Sequence, residues 1–127
     1  MAEAGKNLPE ASVKEQAREQ VGKKQIQLRI DEREMGTAYS NAFRMNATPD
    51  EVLLDFGYNT VMQQGQQPVI TFKVSERLFL NYYTAKRLAI QLGQLIRRHE
   101  DEFGMLEVNA AKRRKPAGKK KAEADKS

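Results

Sequence analysis

The sequence predicts an α+β fold: a four-stranded antiparallel β-meander followed by one long C-terminal α-helix packed on one sheet face. Three observations carry that expectation. Four segments between residues 24 and 80 alternate apolar and polar side chains, the period of a strand. Residues 82–103 instead repeat their apolar positions every three or four, the period of a helix. The connections between them are short and carry turn residues, as consecutive antiparallel strands require.

Residues 24–31 read KQIQLRID, with Ile26, Leu28 and Ile30 alternating against Gln25, Gln27 and Arg29; this is the first expected strand. Asp31 to Gly36 supplies turn chemistry, with Gly36 free to take a positive φ. The second strand is expected over 37–45, where Tyr39, Asn41, Phe43 and Met45 share a face, and Thr48-Pro49-Asp50 turns the chain. The third covers 51–58, with Val52, Leu54, Phe56 and Tyr58 on the core side. A Gln/Gly loop at 63–68 leads to the fourth, 69–80, which would place Ile70, Phe72, Val74, Leu78 and Leu80 together. Glu76 breaks that apolar row and marks either a bulge or a side chain reaching past the helix end.

Asn81 is placed to cap the final helix. Its stripe is Ala85, Leu88, Ala89, Leu92, Leu95, Ile96, His99 and Phe103, and Gly104 stands where a left-handed stop belongs. Glu100, Asp101 and Glu102 oppose the dipole at that end and are read as a solvated face.

The expected organisation is a polar, disordered or weakly helical segment at 1–22, a globular domain at 23–108 and a disordered Lys/Arg-rich tail at 109–127. Pro9 and Gly22 frame a short helix over about 9–21, whose stripe of Val13, Ala17 and Val21 is thin. The formal charge of +5 is concentrated in the tail. Residues 112–127 carry eight Lys/Arg against two acids, while residues 1–111 carry 14 against 15. A folded basic face is therefore not expected, and Lys112, Arg113, Arg114, Lys115, Lys119, Lys120 and Lys121 become the candidate nucleic-acid contacts.

The chain has no Cys and a single His, which excludes disulfides, thiolate metal sites and multi-His metal centres. No apolar run reaches the roughly 18 to 20 residues of a membrane span, and no signal-peptide core follows Met1, so a cytoplasmic protein without membrane insertion is expected. No Gly-rich phosphate loop is present. No cofactor, catalytic residue or small-molecule substrate is expected. Asp55 and Glu51 share a strand face but stand roughly 13 Å apart, too far for paired acid/base chemistry. Asp55 is expected to face water or pair with Lys73 or Arg44 across the sheet. His99 is read as a packed residue of the helix.

Several short pieces then fall in a characteristic order: Tyr39-Ser40-Asn41, Pro49-Asp50-Glu51, Leu54-Asp55-Phe56, Arg77, Ala85-Lys86-Arg87-Leu88 and Glu100-Asp101-Glu102-Phe103-Gly104. In that order, over residues 24–106, they resemble the bacterial family known as domain of unknown function 3467. Two departures are Asn81-Tyr82, where the family usually has Ser-Pro, and the Gln-rich connection after Phe56. The resemblance implies a fold and no chemistry. At fold level alone, four antiparallel strands and a long helix are similar to the export chaperone SecB.

One helix about 10 to 12 Å across does not cover four strands spaced about 4.8 Å apart. The sequence therefore predicts a homo-oligomer, a dimer or higher, with Leu53, Val69, Phe79 and Asn41 as candidate interface residues. A non-enzymatic oligomeric binding or assembly module, with a protein partner, is the leading expectation. A nucleic-acid-associated protein acting through the tail comes second, and a SecB-like holdase third.

Overall fold

The computed structural model describes residues 2–22 and 25–114, with side chains from residue 12 onward. In order they form α1 (Ala2–Val21), β1 (Ala42–Ala47), β2 (Glu51–Gln64), β3 (Gln67–Asn81), α2 (Tyr82–Phe103) and α3 (Ala110–Arg113). The chain divides into two compact units, Met1–Arg87 and Leu88–Ser127.

The sheet has three antiparallel strands in the order β1-β2-β3, so β2 is central. The two hairpins follow from their turn residues. Between β1 and β2, the Thr48 hydroxyl accepts the backbone N–H groups of Asp50 and Glu51, at 3.3 and 3.0 Å, and Thr48 N–H donates to the Glu51 carbonyl at 2.9 Å. This is the side-chain-to-backbone turn that Thr-Pro-Asp favours. Between β2 and β3 only Gly65 and Gln66 are unpaired, since Gln64 still faces Gln67. Gly65 has φ +62° while Gln66 has none of the positive φ values, the signature of a II′ turn with glycine first. The six-residue loop expected at 63–68 is thus a two-residue turn, and both strands run into it.

The register of β2 against β3 slips by one residue between Phe56 and Gly57: Phe56 faces Glu76 and Gly57 faces Val74. Ser75 is the extra residue of a β-bulge, and its hydroxyl donates to the Phe56 carbonyl at 3.1 Å. The bulge has a large consequence. Residues directly opposite in an antiparallel pair share a face. Ala47, Val52 and Leu80; Met45, Leu54 and Leu78; and Phe43, Phe56 and Glu76 lie on one face. Leu53 and Phe79; Arg44, Asp55 and Arg77; Gly57 and Val74; Asn59 and Phe72; and Val61 and Ile70 lie on the other. The expectation that Ile70, Phe72 and Val74 join Leu78 and Leu80 is therefore wrong: one inserted residue turns the strand over.

Two further expectations are corrected. Residues 25–30 form no regular element, so the strand expected over 24–31 is missing; Lys24 itself lies outside the described residues. Alternation suits a segment to a pleated, half-buried surface but does not by itself pair it with a neighbour. The strand expected over 37–45 is instead Ala42–Ala47. Just before it, Asn41 N–H still donates to the Gly57 carbonyl at 3.0 Å, and the remaining contacts of Ser40 and Asn41 with β2 are made by side chains. The Ser40 hydroxyl accepts from Gly57 N–H at 3.1 Å and lies 2.8 Å from the Ala42 and Gly57 carbonyls, one of which takes its proton. Asn41 Oδ1 accepts from Asn59 N–H at 3.0 Å.

The buried centre is the first half of β2: Val52, Leu54, Asp55 and Gly57. Gly57 is required there by space. A Cβ at this position would stand 1.9 Å from the Lys73 carbonyl oxygen and 3.0 Å from the Phe72 ring.

Both long helices are stopped by glycine. Gly22 has φ +85° and donates to the Arg18 carbonyl at 2.8 Å; Gly104 has φ +100° and donates to the Glu100 carbonyl at 2.7 Å. α1 starts seven residues before Pro9, earlier than the sequence suggests. α2 spans 82–103 as expected, with Asn81 Oδ1 accepting from Thr84 N–H at 2.8 Å. Tyr82 Oη donates to the Thr48 carbonyl at 2.7 Å, which ties the start of α2 to the β1–β2 turn. Arg87 pairs with Glu19 of α1.

Candidate interaction surface

At the centre of the sheet one carboxylate holds three strands. Asp55 faces Arg44 of β1 on one side and Arg77 of β3 on the other. Arg44 donates Nε and an Nη to Asp55 Oδ2 at 2.8 and 2.6 Å. Arg77 donates Nε to Oδ1 at 2.6 Å and an Nη to Oδ2 at 3.0 Å. Asp55 is only 3% exposed, yet both its oxygens accept from guanidinium groups, Oδ2 three N–H donors and Oδ1 one. The hydrogen bonds from Arg77, then those from Arg44, hold its carboxyl well below the usual carboxylate range, and the same contact raises Arg77.

Sequence reasoning anticipates Arg44 as a partner but not Arg77, whose register depends on the Ser75 bulge. Lys73, the other expected partner, lies on the opposite face, with its ammonium 5.9 Å from the Tyr58 ring centre. The Arg44 guanidinium lies 5.9 Å from the centre of Phe72, so the ion cluster continues into an aromatic contact on the same face.

Around this knot the surface is apolar and open. On the second face Phe79 is 58% exposed, Ile70 64% and Val61 65%; on the first, Phe43, Met45 and Leu78 are exposed as well. Of the candidate interface residues, Leu53 and Phe79 stand directly opposite each other. Val69 does not join them: it faces Met62 on the first face, because the bulge inverts that half of β3. Asn41 is exposed rather than buried, and its amide oxygen serves the Asn59 backbone.

α2 carries its own apolar surface. None of its residues is buried, and Leu88, Leu92, Leu95, Ile96 and Phe103 are all exposed. His99 is exposed too and lies against Phe103, ring centres 4.8 Å apart at 42°. The acidic cluster is more than a solvated face: the Glu100 carboxylate accepts Leu106 N–H at 2.9 Å and so helps to close the helix end. In α3, Asn109 caps the turn by accepting Ala111 N–H at 3.0 Å, which places Lys112 and Arg113 in its last residues and Arg114 just after it. Lys115, Lys119, Lys120 and Lys121 lie outside the described residues.

Among the described residues no group of three His, Cys, Asp or Glu side chains is placed to hold a metal ion, and no helix is long and apolar enough to cross a membrane.

A family model described as "Protein of unknown function (DUF3467)" matches residues 6–108, most of the chain. The chain belongs to this family. The match takes in nearly all of α1, the sheet and α2, and so extends beyond the motifs at 24–106. No curated protein and no solved structure matches the chain.

Proposed function

We propose that the chain is a non-enzymatic, oligomeric binding or assembly module. One observation carries the reading: large apolar side chains stay open on both sheet faces and along the α2 stripe, while Val52 and Leu54 are the only buried apolar side chains among the described residues. Apolar patches of this extent mark association surfaces in soluble proteins. On this reading the helix stripe and a sheet face are covered in the assembly, where a second copy supplies the missing layer. The Arg44–Asp55–Arg77 knot supports a binding role over a chemical one. Its carboxylate is committed to two guanidiniums and is a poor proton acceptor at neutral pH.

Size-exclusion chromatography of nuclease-treated protein, at low and high salt, tests this. An assembly larger than 14.5 kDa that survives both treatments is expected. Apolar contacts do not weaken with salt, whereas contacts between phosphates and the Lys/Arg tail do. An assembly that falls apart on nuclease treatment would instead support nucleic-acid binding through the tail.

A further inference from the structure

We propose that residues 25–31 of one copy add as a fourth strand to the open edge of β2 in a second copy, beyond the end of β1. The inference rests on the oligomeric reading above and names the contact that would build the oligomer.

The donor segment has the pattern of a strand and no strand to join. Ile26, Leu28 and Ile30 alternate with Gln25, Gln27, Arg29 and Asp31, yet residues 25–30 are irregular; Ile26 and Leu28 are half-buried and Ile30 is 48% exposed. Such a segment gains both a hydrogen-bond ladder and an apolar face when an edge is presented to it.

The acceptor edge is equally specific. β2 runs to Gln64, but β1 pairs with it only from Val52 to Gly57. Asn41 N–H adds one backbone bond to the Gly57 carbonyl, and the Ser40 and Asn41 side chains extend the contact as far as Asn59. Beyond that point the edge is open. The Gly57 carbonyl and the Gly57 and Asn59 N–H groups address the β1 side. Alternation then turns the N–H and C=O groups of Val61 and Gln63 to the same side.

The other edge of the sheet is blunted. Gln63 faces Pro68, so the same alternation puts the position of Pro68 that lacks an N–H on the outer side of β3, and the Ser75 bulge interrupts that side further along. Neither device protects residues 60–64 of β2.

The faces also match. With Ile26, Leu28 and Ile30 on the second face, they extend the apolar row of Val61, Ile70 and Phe72. Gln25, Gln27, Arg29 and Asp31 then join Thr60, Gln64, Thr71 and Lys73 on the first face, where Met62 and Val69 are the apolar members. A second copy is the occupant because the single chain leaves both the segment and the edge unpaired, and because one two-fold exchange covers two edges at once.

The chain has no cysteine, so disulfide trapping is unambiguous. Full-length Gln27→Cys is mixed with a full-length copy carrying Thr60→Cys, Met62→Cys or Gln64→Cys and oxidised; Ser75→Cys, on the far strand, is the control. The expected result is a mixed covalent dimer of twice 14.5 kDa with at least one of the three and little with the control. In parallel, Leu28→Pro, which removes a ladder N–H from a segment already irregular, weakens association roughly tenfold or more. If the protein is an oligomer but no mixed disulfide forms and Leu28→Pro associates normally, the strand exchange is refuted and the oligomeric reading stands. If the wild type is a monomer, both fail. An intrachain disulfide formed by Gln27→Cys with Met62→Cys in a dilute single chain would overturn the second copy as occupant.

Discussion

Gly57→Ala should be the most damaging single methyl group in the molecule. The added Cβ would sit 1.9 Å from the Lys73 carbonyl oxygen and 2.8 Å from its carbonyl carbon. An unstrained contact needs about 3.4 Å or more, so β3 must retreat by roughly 1.5 Å at this point. The obstacle is backbone, and no side-chain rotation relieves it. The same stretch carries the Ser75 bulge and the hydrogen bonds from Ser40, so a retreat would disturb β1 and β3 together. Overpacking of one methylene costs about 1 to 3 kcal/mol where side chains can yield, and the upper end or beyond applies here. Against a total stability of about 5 to 15 kcal/mol, a loss of ~3 kcal/mol lowers the midpoint of a domain this size by roughly 10 to 20 °C. Thermal denaturation followed by circular dichroism measures it, with Gly36→Ala as control. Gly36 has no positive φ and no atom within 4 Å of an added Cβ, and its replacement should leave the midpoint nearly unchanged. A Gly57→Ala protein melting within a degree or two of wild type would show that the close approach of β2 and β3 has been misassigned.

Three other outcomes are expected. Asp55 is held below its ordinary carboxylate value by Arg77 and Arg44, so the stability it contributes is full above about pH 4, the unfolded value, and is lost as pH falls through the lower folded value. Urea denaturation should therefore show Asp55→Asn weaker than wild type at neutral pH, with the gap narrowing below about pH 4; a constant gap down to pH 2 contradicts this. Leu92→Asp should abolish assembly while preserving the helix: Leu92 is 50% exposed in the single chain, so the charge becomes costly only where a partner buries it. Circular dichroism and light scattering together read both effects. Gly93→Ala, in the interior of α2 with open space around it, should stabilise the fold by about 0.5 to 1 kcal/mol in chemical denaturation.

The elements that were legible in the sequence are those whose determinants are local. α2 is specified by its own spacing, by Asn81 at one end and by Gly104 at the other, and it forms where those residues put it. The β2–β3 hairpin is legible in part: two alternating strands joined near Gly65 are expected, but β2 runs on from Tyr58 to Gln64 and the loop shrinks to Gly65-Gln66, because cross-strand pairing continues where the sequence shows only Gln and Gly. What the sequence hides depends on pairing. Residues 25–30 alternate as well as β2 does, but alternation does not say whether a neighbour is available. Ser75 gives no signal stronger than the misplaced Glu76, although its insertion decides which residues share a face. For the same reason Leu53 and Phe79 meet while Val69 is carried to the other side, and Arg77 joins Asp55. The Asp55 knot was half visible, through Arg44, because that pairing lies on the side of β2 without a bulge.

On the proposed reading the exposed apolar surface of this chain is an interface between copies of itself. Sedimentation equilibrium of the 127-residue chain, from below micromolar to tens of micromolar, decides this. If copies associate through this surface, the weight-average mass is an integral multiple of 14.5 kDa at the upper concentrations, falling reversibly on dilution or unchanged if the contact is tight. A single 14.5 kDa species across the whole range would contradict it.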